Sequence, residues 1–349
     1  MKKTYNIAIS PGDGAGHEII GWAQKVLETL AEMDGGFSFD FRHFEIGAEV
    51  FRKTGEAIPK ASLDAMREAD ATIFVAIAAA EIPRDHSNPI IVLRKELDLY
   101  ANIRPVKDYP RLAPEGRKTD LVVVRENLEG FYSGIEYRVG DDAACAVRVI
   151  TRRNCERIAR SAFNEARKRR KKVTAIHKLA AHRITDGLFI DVVEQIGKQE
   201  FPDVQIERMM IDAAGTRLIR DPEHFDVILA TNAYGDILSD AAAEVAGGIG
   251  LAPAANIGEV SSVFEPCHGT APGRAGKGIA NPIATLLSAK LMLEYLGEQK
   301  AGGQIQTAIE RVIDKGEALT PDMGGTSRTD EIGEAIIKEL KTFARIKES

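Results

Sequence analysis

Cysteine is scarce in this chain: three residues, Cys145, Cys155 and Cys267, stand in 349. None forms a CxxC pair or a Cys/His metal spacing, so neither a disulfide framework nor a zinc site is expected. Long hydrophobic runs are missing too. No stretch approaches the roughly 20 apolar residues of a membrane span. The start, Met1 to Ile9, is too short and too interrupted for a signal peptide. A large excess of one charge is also lacking. The net charge is −6, which gives no footprint for nucleic acid or an anionic membrane. A reducing cytoplasm fits all of these absences. The one basic cluster, Arg167-Lys-Arg-Arg-Lys-Lys172, reads as a solvated helix end, where cations suit the dipole.

What is present is ordinary globular material, 44% hydrophobic and 28% charged. A chain of this length predicts two domains. Strand-like and helix-like segments alternate, which predicts an α/β layered fold. Strands are expected at Tyr5–Ser10, Ala71–Ala80, Asp120–Val124, Val173–His177 and Phe225–Ala230. A helix at Glu18–Met33 carries Ile19, Trp22, Ala23, Val26, Leu27 and Leu30 at helical spacing. Thr151 can cap another, with Cys155, Ile158, Ala159, Ala162, Phe163 and Ala166 as its stripe. Further helices are expected at Ile283–Leu296 and Asp330–Phe343. The loop Pro11-Gly-Asp-Gly-Ala-Gly16 follows a strand and precedes a helix, but its glycines miss the dinucleotide fingerprint by one position. No acid ends a second strand at the required distance, which argues against a Rossmann fold.

The run Thr231-Asn-Ala-Tyr-Gly-Asp-Ile-Leu-Ser-Asp240 leads from an apolar strand into Ala-rich helical sequence. Residues four apart share a helix face, so Asp236 and Asp240 can point at one cation. Mg2+ takes such oxygen ligands, often one or two carboxylates plus substrate. A solvated helix start is the alternative, since acids suit that dipole end. Arg94, Arg104 and Arg125 flank extended segments, and guanidinium forks suit a small polyanion. Each alone also suits a surface ion pair.

Together with Phe131-Tyr-Ser-Gly134 and Lys178, these residues resemble the β-decarboxylating 2-hydroxy-acid dehydrogenases, which act on isocitrate, homoisocitrate, 3-isopropylmalate and tartrate or D-malate. The likeness runs nearly end to end, from Pro11-Gly-Asp-Gly14 through Arg125-Glu-Asn-Leu-Glu-Gly130 and His268-Gly-Thr-Ala-Pro272 to Thr320-Pro-Asp-Met-Gly-Gly325. It implies a two-domain isocitrate/isopropylmalate-dehydrogenase-like α/β fold with the active site in the interdomain cleft. Residues 1–100 plus 248–349 would bind cofactor. Residues 101–247 would bind substrate and metal and dimerise.

By the same resemblance, Lys178 is the general base and Tyr132 the general acid. Lysine as a residue type serves as a base near neutrality where a nearby cation lowers its pKa. Asp212, Asp236 and Asp240 are the implied ligands of Mg2+ or Mn2+. Arg94, Arg104 and Arg125 clamp the substrate carboxylates, with Asn88 and Ile90 facing its substituent. His268, Gly269, Thr270, Ala271, Pro272, Gly273, Arg274, Asn281 and Asn232 are the implied cofactor contacts. The implied partners are a small polycarboxylate and a second copy of the chain, in a homodimer where Lys178 and Asp212 enter the partner's site.

The sequence departs from the family in places. Ala180 and Ala213 stand where asparagines are common, and Ala76 to Ile82 lacks the usual glycines. Asn88 and Ile90 replace the serine and asparagine of isocitrate enzymes. Ser87 to Arg94 looks like homoisocitrate enzymes, and Ile90 could also receive an alkyl group. The expectation is oxidative decarboxylation of a 3-substituted malate, homoisocitrate- or isocitrate-like first and alkylmalate or malate/tartrate second. A silent regulatory subunit is disfavoured because Tyr132, Lys178 and all three aspartates remain. Cofactor choice is divided. Gly273, followed by Arg274, stands where NAD enzymes have an aspartate, whereas Ala280 and Pro321 to Gly325 look NAD-like. NAD is expected, with NADP possible.

Overall fold

The computed structural model describes residues 2–113 and 118–345. The chain begins β1 (Lys3–Gly12), α1 (Gly16–Asp34), β2 (Phe37–His43), α2 (Ala48–Thr54), α3 (Lys60–Glu68), β3 (Ala71–Ala76) and α4 (Pro89–Glu96). The middle holds β4 (Ala101–Lys107), β5 (Asp120–Glu126), β6 (Glu136–Val139), β7 (Ala143–Ala146), α5 (Arg152–Arg167), β8 (Lys172–His177), α6 (Thr185–Glu200), β9 (Gln205–Met210), α7 (Ile211–Arg220), β10 (Val227–Ala230) and α8 (Asn232–Val245). It closes with β11 (Pro253–Ile257), β12 (Ser262–Pro266), α9 (Ile283–Tyr295), α10 (Gln299–Lys315) and α11 (Thr329–Arg345).

Ten strands form one sheet in the order β2-β1-β3-β12-β11-β4-β5-β10-β8-β9. Its two wings are parallel, as buried strands covered by helices tend to be. The centre is antiparallel, where β11 pairs with both β12 and β4, and β4 with β5. Strand direction therefore reverses in the middle of the sheet. One large core joins N-terminal residues such as Ile7, Leu27 and Ile73 to C-terminal ones such as Ile283, Ile309 and Ile336. Two further cores draw mainly on the middle of the chain, around Phe163 and Val193 and around Phe225 and Leu238. The hairpin β6–β7 stands apart from the large sheet and is exposed along its whole length.

The expected helices are present, and Thr151 accepts a hydrogen bond from the Asn154 amide as a cap should. All six residues of the predicted stripe on α5 are buried. Two local expectations change. The strand foreseen at Ala71–Ala80 ends at Ala76, because the Ala78 amide turns to the buried Asp13 carboxylate at 2.7 Å. Asp13 also accepts from the amides of Ala48 and Glu49. The glycine-rich loop is thus a structural knot around Asp13. Gly12 has φ +64°, and a Cβ there would lie 1.9 Å from the Ala76 carbonyl oxygen, so the glycine permits the strand contact itself. The basic run is likewise more than a solvated helix end. Arg169 pairs with the buried Asp226 at 2.9 Å and with Asp120, while Lys172 meets Glu207 and His224.

Candidate active site

Three arginines are buried at the switch in strand direction. Arg104 lies on β4, Arg125 near the end of β5, and Arg94 on α4. With Asn88, Ile90, Ile91, Tyr132, Asp236, Glu265, Cys267, His268 and the β3 end Val75–Ile77, they line a cavity of about 270 Å³. Arg125 is 1% exposed. Asn232 accepts from its Nε at 3.0 Å and from its second nitrogen at 2.7 Å. Gly235 lets α8 approach so closely that a Cβ there would sit 2.7 Å from the Arg125 Cβ. Asn232 therefore orients Arg125, and it lines neither this cavity nor the adjoining one.

Asp236 is the anion at the centre of these cations. Arg125 donates to its Oδ1, Arg104 lies 3.4 Å away, and the Tyr132 hydroxyl donates to its Oδ2 at 2.5 Å. Burial opposes ionisation, but Arg125, Tyr132, Arg104 and Arg94 together hold the Asp236 carboxyl below its ordinary range. Asp240 is one helical turn on and meets the same Arg104 nitrogen at 3.2 Å. Burial raises its pKa against the pull of Arg104. The i,i+4 pair does share one cation, and that cation is a guanidinium. Tyr132 is raised by burial and by donating to Asp236, so its proton is retained at neutral pH. Burial, then Arg104 and Arg94, lower the pKa of Arg125. This crowding of positive charge is relieved by any anion that enters.

A second cavity, of about 460 Å³, adjoins the first at His268 and Gly269. Its lining includes Gly247–Leu251, Ala271, Arg274, Asn281 and Asp322. Asp322 accepts from Asn281 at 3.0 Å and from Thr320, and pairs with Arg274 at 3.2 Å. The His268 Nε2 is buried without a partner, and burial lowers the ring's pKa, leaving a polar atom free for a ligand. This cradle suits an adenosine-type cofactor. Thr270 does not line it; its carbonyl accepts from Ala15. Pro272 and Gly273 also stand outside the lining, and the Gly273 carbonyl accepts from Lys277.

Lys178 and Asp212 lie in neither cavity and pair with each other at 2.9 Å. Among the described residues no group of three or more His, Cys, Asp or Glu side chains converges as a metal site. Within one chain, then, Asp236 and Asp240 stand together and Asp212 stands elsewhere.

Some residues of the site had escaped sequence reasoning. Glu265 faces the arginines and accepts from Asn256 at 2.7 Å, and Asn256 in turn accepts from Asn102, which accepts from Arg104. The Glu265-Pro-Cys-His268 adjacency offered a signal. The asparagine relay offered none.

A profile of the isocitrate/isopropylmalate dehydrogenase family matches residues 6–336. The chain belongs to this family. It is 44% identical to the 3-isopropylmalate/3-methylmalate dehydrogenase of Methanocaldococcus jannaschii, over 97% of this chain and 99% of that one. It is 43% identical to the isocitrate/homoisocitrate dehydrogenase of Thermus thermophilus, with the same coverage. Among solved structures, isocitrate dehydrogenase from Methylococcus capsulatus superposes with a TM-score of 0.90 at 37% identity, covering 96% and 99% of the two chains. The family assigns the chain to the decarboxylating hydroxy-acid dehydrogenases, enzymes that work with NAD(P) and a divalent metal, and its mixed α/β sheet is the fold of that family. No helix among the described residues is long and apolar enough to cross a membrane.

Proposed function

We propose that this chain oxidatively decarboxylates a 3-substituted malate with NAD(P) and Mg2+ or Mn2+. The observation that carries the reading is the convergence of Arg94, Arg104 and Arg125 on one cavity that also holds Tyr132 and Asp236. Three guanidinium groups against Asp236 and Glu265 leave a positive balance that suits a polycarboxylate. Asp236 and Asp240, with Asp212 from a second copy, would hold the metal. Bound there, it would supply Lewis acidity toward the substrate's hydroxyl and carboxylate oxygens. NAD(P) in the His268–Asp322 cavity would accept the hydride.

The chain's own residues then divide the proton work. The arginines hold the carboxylates and fix the substrate's orientation. Lys178 takes the hydroxyl proton as hydride leaves the 2-carbon. After the carbon–carboxylate bond breaks and CO2 departs, the Tyr132 hydroxyl returns a proton to the resulting enolate. Its hydrogen bond to Asp236 already aims that hydroxyl at the cavity.

The lining bears on the substituent. Val75, Ile77, Ile90 and Ile91 line the cavity with apolar side chains, and the side-chain oxygen of Asn88 is engaged by the Ile90 amide. Such a wall favours a short alkyl group over a further carboxylate, because a buried unpaired charge costs far more than a methyl gains. An alkylmalate is therefore supported over the homoisocitrate-like substrate first expected. We further propose a homodimer of two-domain subunits divided near residues 100 and 248. Phe131, Ile135, Tyr137, Val139 and Val147 are exposed on and beside the β6–β7 hairpin, an apolar patch that a second copy would cover. Such pairing brings Lys178 and Asp212 to a neighbour's cavity.

The test is a panel of racemic 3-methylmalate, 3-isopropylmalate, isocitrate and homoisocitrate, followed by absorbance of the reduced nicotinamide and by CO2 release. The highest kcat/KM should fall on an alkylmalate. Reduction without CO2 release would refute the decarboxylase, and a preference for homoisocitrate would refute the apolar-wall argument alone.

A further inference from the structure

Asp186 is completely buried at the second position of α6. Its Oδ1 accepts from Arg148 at 2.5 Å, and its Oδ2 accepts from the Lys178 backbone amide at 2.5 Å. Arg148, also nearly buried, spreads further. It donates to the hydroxyl of Thr185 at 2.8 Å and to that of Thr231, the residue before α8, at 3.2 Å. Its guanidinium lies over the rings of Phe131 and Tyr234, 6.0 and 5.2 Å from their centroids.

A buried ion pair is weak evidence of a stabilising role, because apolar residues of similar volume often serve as well. The attachments set this one apart. Phe131 is the neighbour of Tyr132 on the same short turn. Tyr234 and Thr231 sit at the start of the helix that carries Asp236 and Asp240. The Lys178 amide opens the turn after β8, where Ala181 and His182 donate back to the Lys178 carbonyl. One guanidinium and one carboxylate thus touch three separate elements: the turn of Lys178, which in the proposed dimer serves the neighbour's site, the turn of Tyr132, and the helix of Asp236 and Asp240.

We infer that Arg148 and Asp186 are positioning residues for the reaction, fixing the turn from which Lys178 reaches the neighbour's site against the Tyr132 turn and the first turn of α8, which serve the chain's own site. The inference rests on the roles given to Lys178 and Tyr132 above. A planar fork suits the task. It makes several directed contacts at once, where lysine makes point contacts without a fixed plane. Neither residue lines the substrate or cofactor cavity, so loosening the pair should leave binding largely alone while misplacing proton transfer. A misplacement near 1 Å costs up to about 100-fold in rate.

The experiment uses the full-length protein with metal, cofactor and the malate of the panel above that wild type turns over fastest. Asp186→Asn and Arg148→Lys are compared with wild type and Lys178→Ala. Positioning predicts a kcat loss of roughly 10- to 100-fold with KM within about threefold. It also predicts a larger primary deuterium isotope effect on kcat with 2-deuterated substrate, since the hydride step becomes limiting. A purely structural pair would lower the melting temperature and leave the isotope effect unchanged, which overturns the inference. Should Asp186→Asn fail to fold, Arg148→Lys decides by the same criteria. Wild-type turnover by Lys178→Ala would refute the base assignment itself. An inactive Lys178→Ala beside wild-type behaviour in the other two variants would refute positioning alone.

Discussion

Glu126 ends β5 one residue beyond Arg125 and is 4% exposed. Burial pushes its carboxyl from an ordinary 4.5 up to about 7, although the amides of Leu128 and Glu129 donate to its two oxygens at 2.9 Å each. Between those values the folded protein holds a proton that the unfolded chain has released. Stability attributable to Glu126 is therefore fully present below about pH 4.5, declines as pH rises, and is gone above about pH 7. Such a shift is worth about 3 kcal/mol. Glu126→Gln removes the titration and leaves one backbone amide facing an NH2 group, a pH-independent cost of about 1–3 kcal/mol. Wild type should thus exceed the variant in stability at pH 5, and the gap should close or invert by pH 8. Urea denaturation of both proteins at pH 5, 6, 7 and 8, at equal protein concentration, measures the difference directly. A wild-type-minus-variant difference that stays constant across this range would show that the Glu126 carboxyl titrates normally, and the burial argument would fail.

Removing divalent metal with EDTA should abolish turnover and Mg2+ or Mn2+ should restore it, with Asp240→Asn shifting the metal dependence to higher concentration; full activity in a metal-free preparation contradicts the ligand assignment. Mixing inactive Lys178→Ala and Asp236→Asn chains should regenerate some activity after subunit exchange, because one site of the mixed dimer keeps both residues; none regained after verified exchange counts against shared sites. Gly273→Asp should increase the kcat/KM preference for NAD over NADP, since by the family resemblance a carboxylate reaching in from this position would accept from a ribose hydroxyl and repel a 2′-phosphate. An unchanged ratio would place the discrimination elsewhere, with the Arg274–Asp322 pair the nearest charged alternative.

Much of this molecule is legible along the chain because the information is periodic or local. The stripe on α5 and its Thr151 cap lie within a few residues of one another, and backbone hydrogen bonding fixes such short-range patterns. The i,i+4 spacing of Asp236 and Asp240 could be read the same way. Motif order across nearly the whole length carried the family, and with it the fold.

Tertiary structure decided what depends on distant segments meeting. Arg94 on α4, Arg104 on β4 and Arg125 on β5 meet at one cavity, and no periodicity encodes that meeting. The end of β3 at Ala76 is set by a carboxylate more than sixty residues away, since a buried amide must find a partner and Asp13 supplies it. The sharing of Arg104 by Asp236 and Asp240, the separation of Asp212 from both, and the ties from Asp186 and Arg148 to three elements are long-range contacts of the same kind. Local sequence selects helices and strands through backbone sterics and hydrogen bonding. Which charges end up facing one another is settled when the sheet and its covering helices assemble and burial leaves each of them in need of a counterpart.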